Sequence, residues 1–271
     1  MIRPFSIRVG TAVLAGQSTG DGPAVVFLHA GVADSRLWTA QLSGLGDAYR
    51  TIAYDRRGFG QTTTSDEPFS NVEDLRLLMD ELALETAVLV GCSQGGLVAI
   101  NFALAYPQRV DGLVLIASAV SGAPPAGAFP PLIDERLAAL DAAEDAGDID
   151  RVNELEAVLW LDGPGNPAGR VGGAARALFL DMNGIALRHP ELTQEREAAA
   201  VYPRLSEIAA PILLLWGDHD FPHIIARSQE LMRRIPAARG VELPGAAHLP
   251  NLEQPERVNE LVRVFLEGLA L

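Results

Sequence analysis

The chain has 271 residues, enough for one large domain or for a core with an inserted subdomain, and its 48% hydrophobic and 21% charged residues match ordinary globular usage rather than a disordered or fibrous class. Against 21 basic residues stand 35 acidic ones, a net charge of −14 that argues against nucleic acid or an anionic membrane as partner. Every basic residue is an arginine, which excludes Schiff-base chemistry, pyridoxal phosphate attachment and a phosphate-loop lysine, and the single cysteine, Cys92, excludes an intrachain disulfide and a zinc site built from several thiolates. Met1 to Gly20 has no continuous apolar segment of signal-peptide length, and no run of about 18 apolar residues exists to span a membrane. A cytoplasmic location is the expectation.

In chain order, Ile2–Val9 and Thr11–Ala15 form a predicted β-hairpin around Gly10, and Gly20-Asp21-Gly22-Pro23 breaks the chain. Ala24–Leu28 is a buried strand by composition. It ends in His29-Ala30-Gly31, and Asp34-Ser35 then cap a helix that runs through Leu45. The next strand, Thr51–Tyr54, leads into Asp55-Arg56-Arg57-Gly58-Phe59-Gly60, where Asp55 and Arg57 are expected to form a structural ion pair. An amphipathic helix over about Val72–Leu84, a strand over Ala87–Val90, a helix through Tyr106 and a strand over Leu113–Ala117 follow. Strands alternating with helices at this spacing predict an α/β fold with a mostly parallel sheet covered on both faces, its active site at the carboxyl ends of the strands.

Composition changes at Ser121, where Gly122-Ala123-Pro124-Pro125-Ala126-Gly127 reads as a linker. Helices are predicted over Leu132–Ala146, Ile149–Leu161, Val171–Asn183 and Thr193–Tyr202, with no strand among them. The sheet pattern resumes with strands at Pro211–Trp216 and Gly240–Leu243 and helices at Pro222–Ile235 and Pro255–Leu269. The expected organisation is a core over residues 1–120, an inserted helical lid over 121–209 and the rest of the core over 210–271.

Gly91-Cys92-Ser93-Gln94-Gly95 joins a predicted strand to a predicted helix. A G-x-S-x-G at such a junction puts the serine on a sharp, strained turn with its hydroxyl projecting, and the two glycines let strand and helix approach closely. The helix N-terminus behind Ser93 directs unpaired N–H groups toward the place where acyl transfer builds negative charge. A serine nucleophile needs a base, and the base needs an orienting carboxylate. His248, after the last strand, and the Asp218-His219-Asp220 segment, after the strand before it, supply both in the order Ser, Asp, His.

With Phe27-Leu28-His29-Ala30-Gly31, Asp55 to Gly60, Gly91 to Gly95, Leu215 to Asp220 and Gly245 to His248 in that order, the chain resembles the α/β-hydrolase family over nearly its whole length. The resemblance implies that Ser93 attacks, His248 transfers the proton and Asp220, favoured over Asp218 by its spacing from Gly217, holds the imidazole. It implies oxyanion donors at the N–H groups of Gly31 and Gln94, with Val32 the next choice to Gly31. Ala30 departs from the family's usual His-Gly, a change that costs strain only if the position needs positive φ. His29 reads as a structural histidine and Cys92 as a small buried hydrophobe. Val32 and the lid residues Trp160, Phe179 and Met182 are candidates to line the substrate site. No metal and no cofactor is expected, since Asp218 to His223 lacks a matching ligand cluster elsewhere.

The implied activity is hydrolysis of an ester, thioester or lactone of a small, mainly apolar acid through an acyl-enzyme; a serine at position 93 disfavours the family's dehalogenases and epoxide hydrolases, which use aspartate there. Alternatives are hydrolysis of a carbon–carbon bond in a ring-cleavage product, with Arg170, Arg176 or Arg188 holding a carboxylate, haloperoxidase-like perhydrolysis, and a ligand-binding protein that kept the fold without catalysis. The expected partner is a small-molecule substrate.

Overall fold

The computed structural model describes all 271 residues, Met1–Leu271. Eight strands form one sheet: β1 (Arg3–Val9), β2 (Ala12–Thr19), β3 (Ala24–Leu28), β4 (Arg50–Tyr54), β5 (Ala87–Cys92), β6 (Val110–Ile116), β7 (Ile212–Gly217) and β8 (Ala238–Leu243), in the spatial order β1-β2-β4-β3-β5-β6-β7-β8. Only β2 pairs antiparallel, with β1 on one side and β4 on the other; all remaining pairs are parallel. The central strands are apolar throughout, because helices cover both of their faces. One face carries a cluster that includes Leu28, Leu89, Phe102 and Leu214; the other carries Phe27, Val90, Ile116 and Leu215 packed with Trp38 and Val262.

The helices are α1 (Thr39–Leu45), α2 (Asn71–Glu81), α3 (Gln94–Ala105), α4 (Pro131–Asp145), α5 (Ile149–Glu156), α6 (Gly173–Ala186), α7 (Pro222–Arg234), α8 (Pro250–Glu253) and α9 (Pro255–Glu267). Between β6 and β7 lie α4, α5, a π-helical turn over Ala157–Asp162, and α6. The wholly buried Asp162 organises this insertion by accepting the N–H groups of Gly169 and Val171 and pairing with Arg176 at 2.8 Å. Its links to the core are both apolar, through Leu161, Phe179 and Met182, and ionic: Arg36 reaches Asp181 at 2.6 Å, and Arg170 reaches Glu253 at 2.5 Å while donating to the Gly245 carbonyl.

Two expectations need correction. Thr193–Tyr202 is not a helix. Asp66 accepts the N–H groups of Thr193 and Gln194, and Phe69 exchanges backbone hydrogen bonds with Gln194 and Arg196, so the donors that would start a helix are used across the chain instead. Asp55 and Arg57 do not pair either. Asp55 accepts the N–H groups of Ser35 (2.7 Å) and Gln61 (2.8 Å) and so ties two loops together, while Arg57 makes a two-pronged contact with Asp74 at 2.8 and 3.1 Å.

Both partners of the Arg57–Asp74 pair are buried, with side-chain exposures of 4% and 5%. Removing one partner of a buried pair strands the other charge, so Arg57→Met is expected to lower unfolding free energy by about 3–5 kcal/mol. Urea denaturation measures this. A loss below about 1 kcal/mol would show that Asp74 is not held as a buried ion.

Candidate active site

Ser93 sits between β5 and α3 at φ 52° and ψ −115°, a left-handed backbone that a side-chain-bearing residue seldom adopts. The close approach that permits it depends on two glycines. A Cβ on Gly91 would lie 2.5 Å from the Gly95 carbonyl oxygen, and one on Gly95 would lie 2.1 Å from that of Leu28. β6 anchors the turn, since the Ser93 N–H donates to the Ile116 carbonyl at 2.9 Å and the Ser93 carbonyl accepts the Ala119 N–H at 3.1 Å.

His248 lies in the loop after β8, 2% exposed, with Nδ1 2.8 Å from Asp220 Oδ2. The second Asp220 oxygen accepts the Phe221 N–H at 2.7 Å. Asp218 turns elsewhere and accepts the Gly245 N–H at 2.7 Å, bracing the turn that leads into the histidine loop. A carboxylate on Nδ1 fixes that nitrogen as the donor and leaves Nε2 with the lone pair. Neither Nε2 nor Ser93 Oγ is committed to another hydrogen bond, and they are not hydrogen-bonded to each other. Contact between elbow and histidine loop runs through Cys92, whose Sγ lies 3.8 Å from the His248 carbonyl oxygen. Burial, with the nearby Asp220 adding to it, pushes the Cys92 thiol far above its ordinary range, so it packs as an inert small side chain.

The N–H groups of Gly31, Val32 and Gln94 have no partner within the protein. Gly31 lies directly against Gln94: a Cβ on Gly31 would meet the Gln94 amide carbon at 2.7 Å. Ala30 is not in a positive-φ conformation, so the alanine that replaces the family's usual glycine costs no strain there.

Trp160, at the π-helical turn, has its ring centroid 4.7 Å from that of His248 and 4.7 Å from that of Phe221. Phe221 continues to Phe129 at 5.7 Å, so an apolar wall with Ile133 and Leu159 stands beside the imidazole. Nothing in the sequence singled out Phe129 or Phe221; their only signal is that Phe221 follows Asp220. Val32 is partly buried, whereas Phe179 and Met182 are wholly buried in the cluster that joins the insertion to Leu249 and the sheet. The surface clefts at Leu180–Pro190, at Pro124–Gly127 and at Leu104–Tyr106 are not lined by Ser93 or His248. No three His, Cys, Asp or Glu side chains converge as metal ligands.

His29 is fully buried, with Nδ1 donating to the Ala30 carbonyl at 2.8 Å and Nε2 accepting the Arg56 N–H at 3.0 Å. Only the neutral ring can do both. Its pKa is lowered well below the ordinary value by burial first and by the Arg56 charge second, with the Ala30 bond opposing.

A sequence model of the alpha/beta hydrolase family matches residues 25–261. Carboxylesterase YbfK of Bacillus subtilis is 27% identical over 97% of this chain and 86% of its own length. A 2-hydroxy-6-oxononadienedioate/2-hydroxy-6-oxononatrienedioate hydrolase of Comamonas testosteroni is 29% identical over 91% of this chain and 88% of its own. Among solved structures, a thermophilic esterase from Thermogutta terrifontis, with malate bound, superposes with a TM-score of 0.75 at 27% identity, covering 98% of both chains.

In the unfolded chain His29 gains a proton near its ordinary pKa of about 6.5, while in the fold it stays neutral. The unfolded state therefore binds more protons below that pH, and stability is expected to fall by about 1 kcal/mol per pH unit as pH drops from 6.5. Burial raises the pKa of Asp55, Asp74 and Glu253, which acts in the opposite sense as these groups protonate. Urea midpoints at several pH values should show a flatter dependence for His29→Gln than for wild type; equal slopes would exclude His29 as the responsible group.

Proposed function

Because the chain belongs to the alpha/beta hydrolase family, we propose that it is a cofactor-independent serine hydrolase cleaving an ester, thioester or lactone of a small, mainly apolar acid through an acyl-enzyme. Ser93 Oγ attacks the carbonyl carbon while His248 Nε2 takes its proton, and the resulting imidazolium passes that proton to the leaving group. Asp220 holds the imidazole in the working tautomer and stabilises its positive charge. The N–H groups of Gly31 and Gln94 receive the oxyanion of each tetrahedral intermediate. Water, deprotonated by His248, then releases the acid and restores Ser93.

The observation that carries this reading is the buried 2.8 Å bond between His248 Nδ1 and Asp220, with Nε2 uncommitted and an uncommitted serine on a strained elbow at the end of β5, at the same edge of the sheet. The free N–H groups beside Ser93 support it further. Trp160, Phe221 and Val32 supply apolar surface for the acyl group, with Phe179 and Met182 packed behind it. On this reading residues 121–209 serve as a lid over the two core segments, 1–120 and 210–271.

Carbon–carbon bond hydrolysis, for which the Comamonas relative is named, is less well supported. The three arginines that were candidates to hold its carboxylate are engaged within the protein: Arg170 with Glu253 and three carbonyls, Arg176 with Asp162, and Arg188 with Asp150 and the Gly184 carbonyl.

On a p-nitrophenyl ester, Asp220→Asn is expected to leave the melting temperature nearly unchanged and to lower turnover by about 10⁴, the scale of the same change in a serine-protease triad. Asp218→Asn should cost about tenfold at most, the low end of the outer-sphere scale. A larger loss at Asp218 would overturn the assignment of the acid. A series of p-nitrophenyl esters of rising chain length, run beside a dienone acid, tests the substrate class: faster turnover of the dienone acid would favour the carbon–carbon reaction.

A further inference from the structure

Two adjacent arginines follow β4, and both are buried, Arg56 at 4% exposure and Arg57 at 6%. Arg57 is paired with Asp74 and Glu67. Arg56 has no carboxylate partner. Its Nη2 donates to the carbonyl oxygens of His29 (3.4 Å) and Ala30 (3.5 Å) and to Gln94 Oε1 (3.2 Å); its guanidinium carbon lies 4.6 Å from the centre of the Phe59 ring, and its Nε has no partner at all. A guanidinium keeps its proton in proteins, and burying one without an acid is costly, so these weak contacts offset only part of the penalty.

Two of the three acceptors adjoin the donors of the oxyanion site: the Ala30 carbonyl belongs to the peptide that carries the Gly31 N–H, and the Gln94 side chain belongs to the residue that carries the other. In a trans peptide the C=O and the following N–H point in opposite directions, so a carbonyl pinned on one side aims its N–H to the other. Ala30 and Gly31 share such a peptide. The Ala30 oxygen is held by His29 Nδ1 at 2.8 Å, by the Ala33 N–H at 3.3 Å and by Arg56, which leaves the Gly31 N–H directed away from all three. Hydrogen bonds to a carbonyl also polarise its peptide and strengthen the N–H as a donor. The same Nη2 holds the Gln94 side chain, which lies against Gly31 where a Cβ would collide with it.

We propose that Arg56 is a positioning residue for the oxyanion hole. It locks the Ala30–Gly31 peptide and the Gln94 side chain into one geometry and keeps a positive charge, without a salt-bridge partner, behind the place where the oxyanion forms. Its effect is expected on the tetrahedral intermediate rather than on substrate binding, because its hydrogen bonds go to the groups that carry the oxyanion donors. The proposal rests on the serine hydrolase reading.

The experiment compares wild type with Arg56→Met and Arg56→Lys on a p-nitrophenyl ester, with rates expressed per fluorophosphonate-titrated site and inhibition measured with phenylboronic acid, which forms a tetrahedral anion on a catalytic serine. Arg56→Met is expected to lower kcat per titrated site by about 10- to 100-fold, the scale of outer-sphere positioning and below that of deleting an oxyanion donor. KM should change less than about threefold, since differential stabilisation of the transition state leaves ground-state binding alone. Phenylboronic acid should weaken in parallel with kcat. Arg56→Lys keeps the charge without the planar fork and should fall between the two; it carries the test if the methionine variant does not fold. Full kcat per site in either variant, or a loss expressed in KM with boronate affinity unchanged, overturns the role of Arg56. Labelling of the wild-type serine separates this failure from that of the broader reading: an unlabelled wild type overturns both, whereas a labelled wild type with indifferent Arg56 variants overturns only this one.

Discussion

A serine held at φ 52° is the constraint on which the rest of the site depends. Such a conformation costs on the order of 1–3 kcal/mol and survives only where its surroundings over-determine it. Here they do so from three directions. β6 takes the Ser93 N–H, α3 begins on the Ser93 carbonyl through Gly96 and Leu97, and the backbone after β3 closes on Gly95 too tightly for a Cβ. The parallel sheet makes this possible, because β3, β5, β6, β7 and β8 all end at one edge and deliver Gly31, Ser93, Asp220 and His248 there.

Electrostatics at that edge are arranged by burial as much as by pairing. Asp220 and His248 are both buried and satisfy one another, while Asp55 is surrounded by N–H donors and ties the loop after β3 to the loop after β4. His29 stays neutral and serves as a hydrogen-bonded spacer between the same loops. The net charge of the chain is strongly negative, yet Arg56, beside the Ala30 carbonyl and the Gln94 side chain, has no salt-bridge partner. Charge sign at the site is thus set locally, independent of the surface.

Much of this was legible from residue pattern. Ala24–Leu28 coincides with its strand, and Pro131–Asp145 and Pro255–Glu267 lie within two residues of their expected bounds, because buried apolar runs and proline or glycine punctuation report local structure directly. The elbow was readable because its chemistry needs a fixed local spacing. What escaped depends on contacts across the chain. The polar stretch from Thr193 looked helical by composition, but Asp66 and Phe69, more than a hundred residues earlier, take its backbone groups. Asp55 and Arg57 are close in sequence and opposite in charge, and still choose other partners, since adjacent loops offered N–H groups to one and a buried carboxylate to the other. The arginines between β6 and β7 looked available for a substrate and are engaged with Glu253, Asp162 and Asp150. Trp160 beside His248 belongs to the same class, as a stacking contact between an inserted turn and a distant loop that no spacing rule encodes.

The central claim is that Ser93 becomes covalently acylated, and intact-protein mass spectrometry after exposure to a fluorophosphonate tests it most directly. Wild-type protein is expected to gain one adduct, mapped to Ser93 by peptide sequencing, and Ser93→Ala to gain none. A wild type that remains unlabelled, or a Ser93→Ala variant that labels equally, would contradict the account.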